Sequence, residues 1–70
     1  MEELFFNSSN LDSGQYDKKN KKLYITFVRS GDTYCYTKVP EIIKENLMNA
    51  PSQGKYFAQN IQKNYNYTKV

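Results

Sequence analysis

The sequence predicts an α+β fold, a small antiparallel sheet of two or three strands followed by two C-terminal helices. Three observations support this fold class. Residues 23–36 combine alternating apolar side chains with a glycine-containing turn, which is typical of a β-hairpin. Pro40 and Pro51 then bracket one helical pattern. Phe57 and Ile61 follow at a spacing of four, which predicts the inward face of a second helix.

The segment before the hairpin predicts one irregular first strand over residues 1–17. Gly14 interrupts its apolar pattern, and we expect a β-bulge there. The lysine-rich run "DKKNKK" at residues 17–22 predicts a solvated connection to the next strand. The alternative is that these lysines form a positively charged surface patch that attracts an anionic partner.

The length of the hairpin loop decides which face the tyrosines of "TYCY" occupy. A two-residue loop at residues 30–31 would place Phe27 opposite Tyr34. Ile25 would then lie opposite Tyr36. A four-residue loop keeps the same parity, whereas a three-residue loop turns both tyrosines over. We predict that Tyr34 and Tyr36 share the apolar face and that only their hydroxyls are free to act.

The first helix is predicted to run for about ten residues between the two prolines. Ile43, Leu47 and Ala50 form its inward stripe. The second helix is expected to begin at or after Ser52. The whole chain, residues 1–70, is predicted to be one domain with its core in residues 6–65, and residues 66–70 are expected to fray.

Composition limits the classes of protein and partner. The chain has 70 residues and a net charge of +3, which mildly favours anionic partners. A single cysteine, Cys35, allows no disulfide within the chain and indicates a cytoplasmic protein. No apolar run approaches the roughly 18 residues of a membrane span. Because so short a chain buries little surface, we expect a homo-oligomer.

The residue types argue against catalysis. The chain contains no histidine, the commonest general acid–base and metal ligand. It also lacks a cysteine pair, a paired-carboxylate motif and a nucleophile elbow. We therefore predict a protein that is not an enzyme, with no catalytic residues, no metal site and no cofactor.

The sharpest candidate site is "APSQGKY", residues 50–56, around the start of the second helix. Unpaired backbone N–H groups and the helix dipole attract an anion there. In the alternative, these residues are only structural: Ser52 caps the helix, and Gly54 allows the chain to turn between the two helices. Arg29 is a further candidate, although it could instead form a cross-turn pair with Asp32. The predicted ligand-binding residues are Arg29, Tyr34, Tyr36, Ser52, Gly54, Lys55 and Tyr56, with Ser8, Ser9, Asn10 and Lys38 as additional candidates.

Several motifs in order resemble the KTSC domain, a short module found alone and at the C-terminus of some lysyl-tRNA synthetases. The resemblance runs from residue 6 to about residue 65. The motifs fall on Ser8-Ser9, Tyr16-Asp17, Phe27 with Ser30-Gly31, Tyr34 and Tyr36, Val39-Pro40, and Ala50, Ser52, Gly54, Lys55, Tyr56 and Phe57. One departure is Gly14-Gln15, where the family usually has an apolar residue followed by glycine, and it affects the predicted end of the first strand.

The resemblance implies an RNA-binding role and supplies no reaction. Our leading hypothesis is a non-catalytic module that binds a phosphate-bearing ligand, either RNA or a small nucleotide. Lys55 and Arg29 would contact phosphates, Ser52 would add a hydroxyl, and Tyr56 would stack on a base. One alternative is a homo-oligomer that sequesters a nucleotide signal, as phage or bacterial counter-defence proteins do. Another is a protein-interaction module that uses the tyrosine-rich face.

Overall fold

The computed structural model describes all residues, 1–70, and shows a five-stranded antiparallel sheet with two helices packed against one face. The elements in chain order are β1 (Glu2–Phe5), β2 (Leu11–Asp17), β3 (Lys22–Phe27), β4 (Thr33–Tyr36), α1 (Glu41–Met48), α2 (Gln53–Asn60) and β5 (Tyr67–Lys69). The strands lie side by side in the order β1-β2-β3-β4-β5. The α+β class with two helices is confirmed, but the prediction of two or three strands is wrong.

One of the missed strands comes from residues 1–17, which form β1 and β2 rather than a single strand. The chain reverses in residues 6–10, hereafter loop 6–10. The Ser8 hydroxyl accepts hydrogen bonds there from the backbone N–H groups of Asn10 (3.1 Å) and Leu11 (3.2 Å). A serine that bonds the backbone two residues ahead stabilises a turn. The reversal lets Leu4 lie opposite Gly14 across the β1–β2 pair.

The other missed strand is β5, formed by the tail that we expected to fray. The Thr37 N–H donates to the Asn66 carbonyl at 3.0 Å, and the Val70 N–H donates to the Thr33 carbonyl at 2.9 Å. All three side chains of β5 are exposed, so no alternation of apolar residues marks the strand in the sequence. Its position depends on pairing with β4, which lies far earlier in the chain.

The β3–β4 hairpin has a four-residue loop, residues 28–31 (loop 28–31), closed by the Phe27 N–H donating to the Asp32 carbonyl. Gly31 in this loop has φ of 73°, a left-handed conformation that favours glycine. Ile25 therefore lies opposite Tyr34. The predicted pairing of Ile25 with Tyr36, which assumed a two-residue loop, is wrong. The parity is unchanged, and both tyrosines point toward the helices as predicted. Tyr36 is only 2% exposed.

The irregularity in β2 does not fall at Gly14. The register shifts between Leu11 and Ser13, two residues earlier than expected. Gly14 instead permits a close approach, because an added Cβ would collide with the carbonyl oxygen of Tyr24 on β3. Glycine is therefore required at this position for strand packing.

The helices cover one face of the sheet and complete the core. Leu47 of α1 is buried as predicted, while Lys44, which we did not expect to face inward, is only 2% exposed. The fully buried apolar cluster comprises Leu4, Leu11, Tyr16, Leu23, Ile25, Tyr36, Val39, Leu47, Phe57 and Ile61. Neither helix has the length and apolar character needed to cross a lipid bilayer.

Candidate ligand-binding groove

A surface groove runs along one flank of α2. Gly54 and Ala58 lie four residues apart on one face of α2, and Gln62 follows in the turn after the helix ends. The opposite wall is made by loop 6–10 and loop 28–31. The feature consists of two adjoining depressions that share Ser9, Asn10, Gly54 and Ala58 as lining residues, and we call the pair the α2 groove. Its lining residues include Ser8, Ser9, Asn10, Val28, Arg29, Ser52, Gln53 and Lys55.

Gly54 allows α2 to lie close to loop 6–10. An added Cβ at this position would come within 3.0 Å of the Ser8 hydroxyl oxygen and 3.7 Å of the Asn10 side-chain nitrogen. The Ser8 hydroxyl is held by its own two hydrogen bonds and has little room to move. The glycine therefore sets the floor of the α2 groove by letting helix and loop pack together.

The start of α2 is capped by its own neighbouring side chains. The Ser52 hydroxyl accepts a hydrogen bond from the Lys55 N–H at 3.4 Å, as the capping alternative predicted. The Gln53 side chain ties this corner to two other segments, because it accepts from the Asn7 N–H at 2.7 Å and donates to the Met48 carbonyl at 3.3 Å. The helix start is thus fixed in place, and it still borders an open, polar groove.

The α2 groove carries two basic side chains without acidic partners. Lys55 lies at the helix start, and Arg29 lies on loop 28–31. The four ion pairs of the chain involve Lys18, Lys44 and Lys69 only. Asp32 pairs with Lys69 at 3.3 Å, and the Arg29–Asp32 pair that was the alternative for Arg29 does not form. Both groove cations are exposed and available to an anion.

The groove adjoins an aromatic depression at the far end of α2. Phe27 and Gln62 line both features. We call the depression the tyrosine pocket, and its lining residues are Phe27, Ser30, Tyr34, Tyr36, Gln62 and Tyr67. Tyr67 of β5 lies opposite Tyr36, and their ring centroids are 5.5 Å apart. Tyr67 is not among the predicted ligand-binding residues, because residues 66–70 were expected to fray.

The hydroxyl of Tyr36 keeps its proton over the whole neutral range. Burial is the main cause, and the nearby hydroxyls of Tyr67 and Tyr34 add to it, raising the pKa of Tyr36 to about 12. At neutral pH this hydroxyl is therefore a hydrogen-bond donor as well as an acceptor.

Two candidate residues lie away from these features. Tyr56 is half-buried on the other side of Lys55, in a shallow depression beside Ala50 and Gln59. Lys38 has φ of 59° and follows β4 at the opposite end of the sheet, where the neighbouring Val39 N–H donates to the Lys21 carbonyl. The structure therefore brings Arg29 and Lys55 onto one groove and does not bring Lys38 or Tyr56 there.

The polar groups do not form a metal centre. No group of three or more histidine, cysteine, aspartate or glutamate side chains lies close enough together to hold a metal ion. Cys35 is buried and faces away from the tyrosine pocket, opposite Tyr24 in the β3–β4 pair. What the groove offers chemically is hydroxyls, amides and two free cations, which are ligands for anions.

These features define a small α+β domain with a polar groove and an adjoining aromatic pocket. The family model of the KTSC domain matches residues 7–65, and the chain belongs to that family.

Similar proteins fall into two groups. A KTSC domain protein from Yersinia pestis of known structure superposes with a TM-score of 0.91 at 35% identity, over 99% of this chain and 96% of the other. The lysine–tRNA ligase of Nostoc punctiforme is 40% identical over 55 residues, which is 79% of this chain. That of Trichormus variabilis is 39% identical over 56 residues, or 80% of this chain. The chain spans only 10% of the length of each ligase.

Proposed function

We propose that this KTSC domain is a non-catalytic module that binds a phosphate-bearing ligand, either RNA or a small nucleotide, in the α2 groove. The observation that carries the proposal is that Arg29 and Lys55 line the two adjoining depressions of the α2 groove and that neither has a carboxylate partner. Unpaired cations on a concave surface attract phosphate, and they need not break an internal ion pair to bind it.

The groove also offers uncharged groups to the same ligand. Ser9 and Asn10 line both depressions of the α2 groove, and they offer a hydroxyl and an amide to an anion held there. The Gln53 and Gly54 N–H groups belong to the first turn of α2, where backbone donors lack acceptors within the helix. Together these groups suit phosphate oxygens better than a neutral apolar ligand.

The relatives favour RNA as the source of the phosphates. The similar sequences lie within enzymes named for their attachment of lysine to tRNA. A small basic domain in such an enzyme has RNA close by, and it would add a backbone contact without reading the sequence. The same chemistry is consistent with a free nucleotide.

The proposal is tested by fluorescence anisotropy with a labelled eight-nucleotide single-stranded RNA at increasing salt. Two phosphate contacts predict a slope of log affinity against log salt of about −1.4, and Lys55→Ala or Arg29→Ala should each reduce it by about 0.7. Lys19→Ala is the matched control, because Lys19 is equally exposed and lies on the β2–β3 connection. An affinity that does not change with salt and is the same in both groove variants would contradict the proposal and favour a protein partner.

Ligand length separates the RNA reader from the nucleotide-sequestering homo-oligomer. We expect affinity to rise from a mononucleotide to the eight-nucleotide RNA. Nanomolar capture of a mononucleotide with no gain for longer RNA would instead identify a protein that sequesters a nucleotide. Native mass spectrometry of protein expressed in cells reports the number of subunits and any nucleotide that copurifies.

A further inference from the structure

The buried residues Tyr16 and Tyr36 differ in whether their hydroxyls have hydrogen-bond partners within the chain. Tyr16 is 1% exposed, and its hydroxyl donates to the Val39 carbonyl at 2.7 Å. Tyr36 is buried to a similar degree, yet its hydroxyl has no hydrogen-bond partner in the chain. Buried tyrosine hydroxyls usually find a partner. Because no buried side-chain oxygen lacks a partner, the Tyr36 hydroxyl must retain contact with the open space of the tyrosine pocket.

The walls of the tyrosine pocket are aromatic rings that pack against one another. Tyr34 packs edge-on against Phe27 at 5.6 Å and against Tyr67 at 5.5 Å between ring centroids. Tyr67 is 56% exposed, so its ring also presents area to the solvent. The pocket volume is about 360 Å³, which is near the lower end of the roughly 300–1,000 Å³ that small-molecule sites occupy. It therefore suits one planar ring system the size of a nucleobase.

We propose that the tyrosine pocket binds a nucleobase of the ligand whose phosphates occupy the α2 groove. The inference rests on the proposed function and adds the site that holds the base. Phe27 and Gln62 line both the groove and the pocket, so one short ligand can reach both. The base stacks on Tyr67, and the Tyr36 hydroxyl donates a hydrogen bond to a carbonyl or ring nitrogen of the base.

The surrounding groups match this assignment. The Gln62 amide offers both a donor and an acceptor at the rim, and Ser30 adds a hydroxyl. Stacking tolerates any base because every base has a π face. The pocket therefore binds bases in general, with a modest preference set by Tyr36 and Gln62. β5 becomes part of the site through Tyr67, although that residue lies beyond the segment that matches the family model.

The test compares two fluorescein-labelled tetraribonucleotides, one with four uracil bases and one abasic, with identical phosphates. We expect wild-type protein to bind the base-containing probe roughly 5- to 140-fold more tightly. Tyr67→Ala should remove this preference and leave the affinity for the abasic probe unchanged. Tyr36→Phe, which keeps the ring, should weaken only the base-containing complex, by about fivefold. Tyr24→Phe on the opposite face is the matched control.

The outcomes separate the two proposals. Equal affinity of wild-type protein for both probes, with both weakened by Lys55→Ala, would overturn the base pocket and leave the phosphate-binding function standing. A preference that survives both Tyr67→Ala and Tyr36→Phe would also overturn it. If neither probe binds, both proposals are overturned. Tyr36→Phe keeps the test decisive if Tyr67→Ala releases β5, because it removes one oxygen and no packing surface.

Discussion

The ammonium nitrogen of Lys44 lies 2.7 Å from a carboxylate oxygen of Glu2, which joins helix α1 to the edge strand β1. Lys44 also pairs with Glu45 and lies 5.4 Å from the ring centroid of Tyr16. A lysine that is 2% exposed is otherwise rare, and here its charge is fully partnered. We infer that Lys44 stabilises the packing of β1 against α1.

Replacing this lysine should weaken the fold measurably. Lys44→Met keeps most of the apolar stem and removes the charge-assisted hydrogen bonds, so we expect the free energy of unfolding to fall by about 1–2 kcal/mol. Urea unfolding followed by circular dichroism measures the change. The matched control is Lys18→Met, which breaks the exposed Lys18–Glu41 pair (3.6 Å) and should cost less than about 0.5 kcal/mol. Equal effects of the two variants would refute the role given to Lys44.

Two conservative tyrosine variants should differ in stability. Tyr16→Phe leaves the buried Val39 carbonyl without its 2.7 Å hydrogen bond, so we expect a loss of about 1–2 kcal/mol in the free energy of unfolding. Tyr36→Phe removes a hydroxyl with no partner in the chain and should change stability by less than about 0.5 kcal/mol. Thermal and urea unfolding of both variants check the contrast. A large loss in Tyr36→Phe would mean that its hydroxyl has an internal partner.

Stability should decline in alkaline solution because of Tyr36. Its pKa is about 12 in the folded protein, mainly through burial, and about 10 in the unfolded chain. The unfolded chain therefore loses this proton first, so the contribution is complete below pH 10 and is lost as the pH rises toward 12. Between pH 9 and pH 11 this stabilising contribution falls by about 1 kcal/mol. Urea midpoints at the two pH values should fall less in Tyr36→Phe than in wild-type protein.

Other groups act in the same direction, so Tyr36→Phe should lessen the alkaline decline without abolishing it. Burial raises the pKa of Tyr16. In Lys44 burial acts to lower the pKa, but the hydrogen bonds to Glu2 and Glu45 outweigh it and the pKa is raised. Both groups keep their protons longer in the folded state, so their stabilising contributions also fade above about pH 10. An identical decline in the variant and in wild-type protein would contradict the assignment to Tyr36.

Lys38 occupies a backbone conformation that favours glycine. Its φ of 59° costs a side chain with a Cβ roughly 1–2 kcal/mol, and Lys38→Gly should relieve most of this strain. After the greater flexibility of glycine in the unfolded chain is counted, we expect a gain of about 0.5–1 kcal/mol in stability. Lys22→Gly within β3 is the comparison and should lose about 0.5–1 kcal/mol. Destabilisation by both substitutions would show that strain at residue 38 is unimportant.

The parts of the fold that depend on neighbouring residues could be predicted from the sequence. The hairpin, the two helices and the inward positions of Leu47, Phe57 and Ile61 follow from local spacing. The first and last strands could not be found this way, because β1 has only one buried side chain and β5 has none. An edge strand with so few buried residues is specified by the strand that it pairs with.

The candidate site, like the fold, could be predicted only in part from the sequence. Residue types singled out Arg29 and Lys55 as candidate phosphate contacts, but only the tertiary structure places them in adjoining depressions beside α2. Tyr67 was missed because its role depends on β5, and the burial of Lys44 was missed because its partner Glu2 lies at the other end of the chain. Contacts between distant segments carry no periodic signal in a single sequence.

Both helices are inserted between two strands that are neighbours in the sheet, β4 and β5. The last strand therefore docks only after a long excursion of the chain, and it is held by three residues with exposed side chains. We expect such an element to open at a small fraction of the global unfolding free energy and its amide hydrogens to exchange with solvent early. Each opening would carry Tyr67 away from Tyr36, so one wall of the tyrosine pocket would come and go while the rest of the domain stays folded.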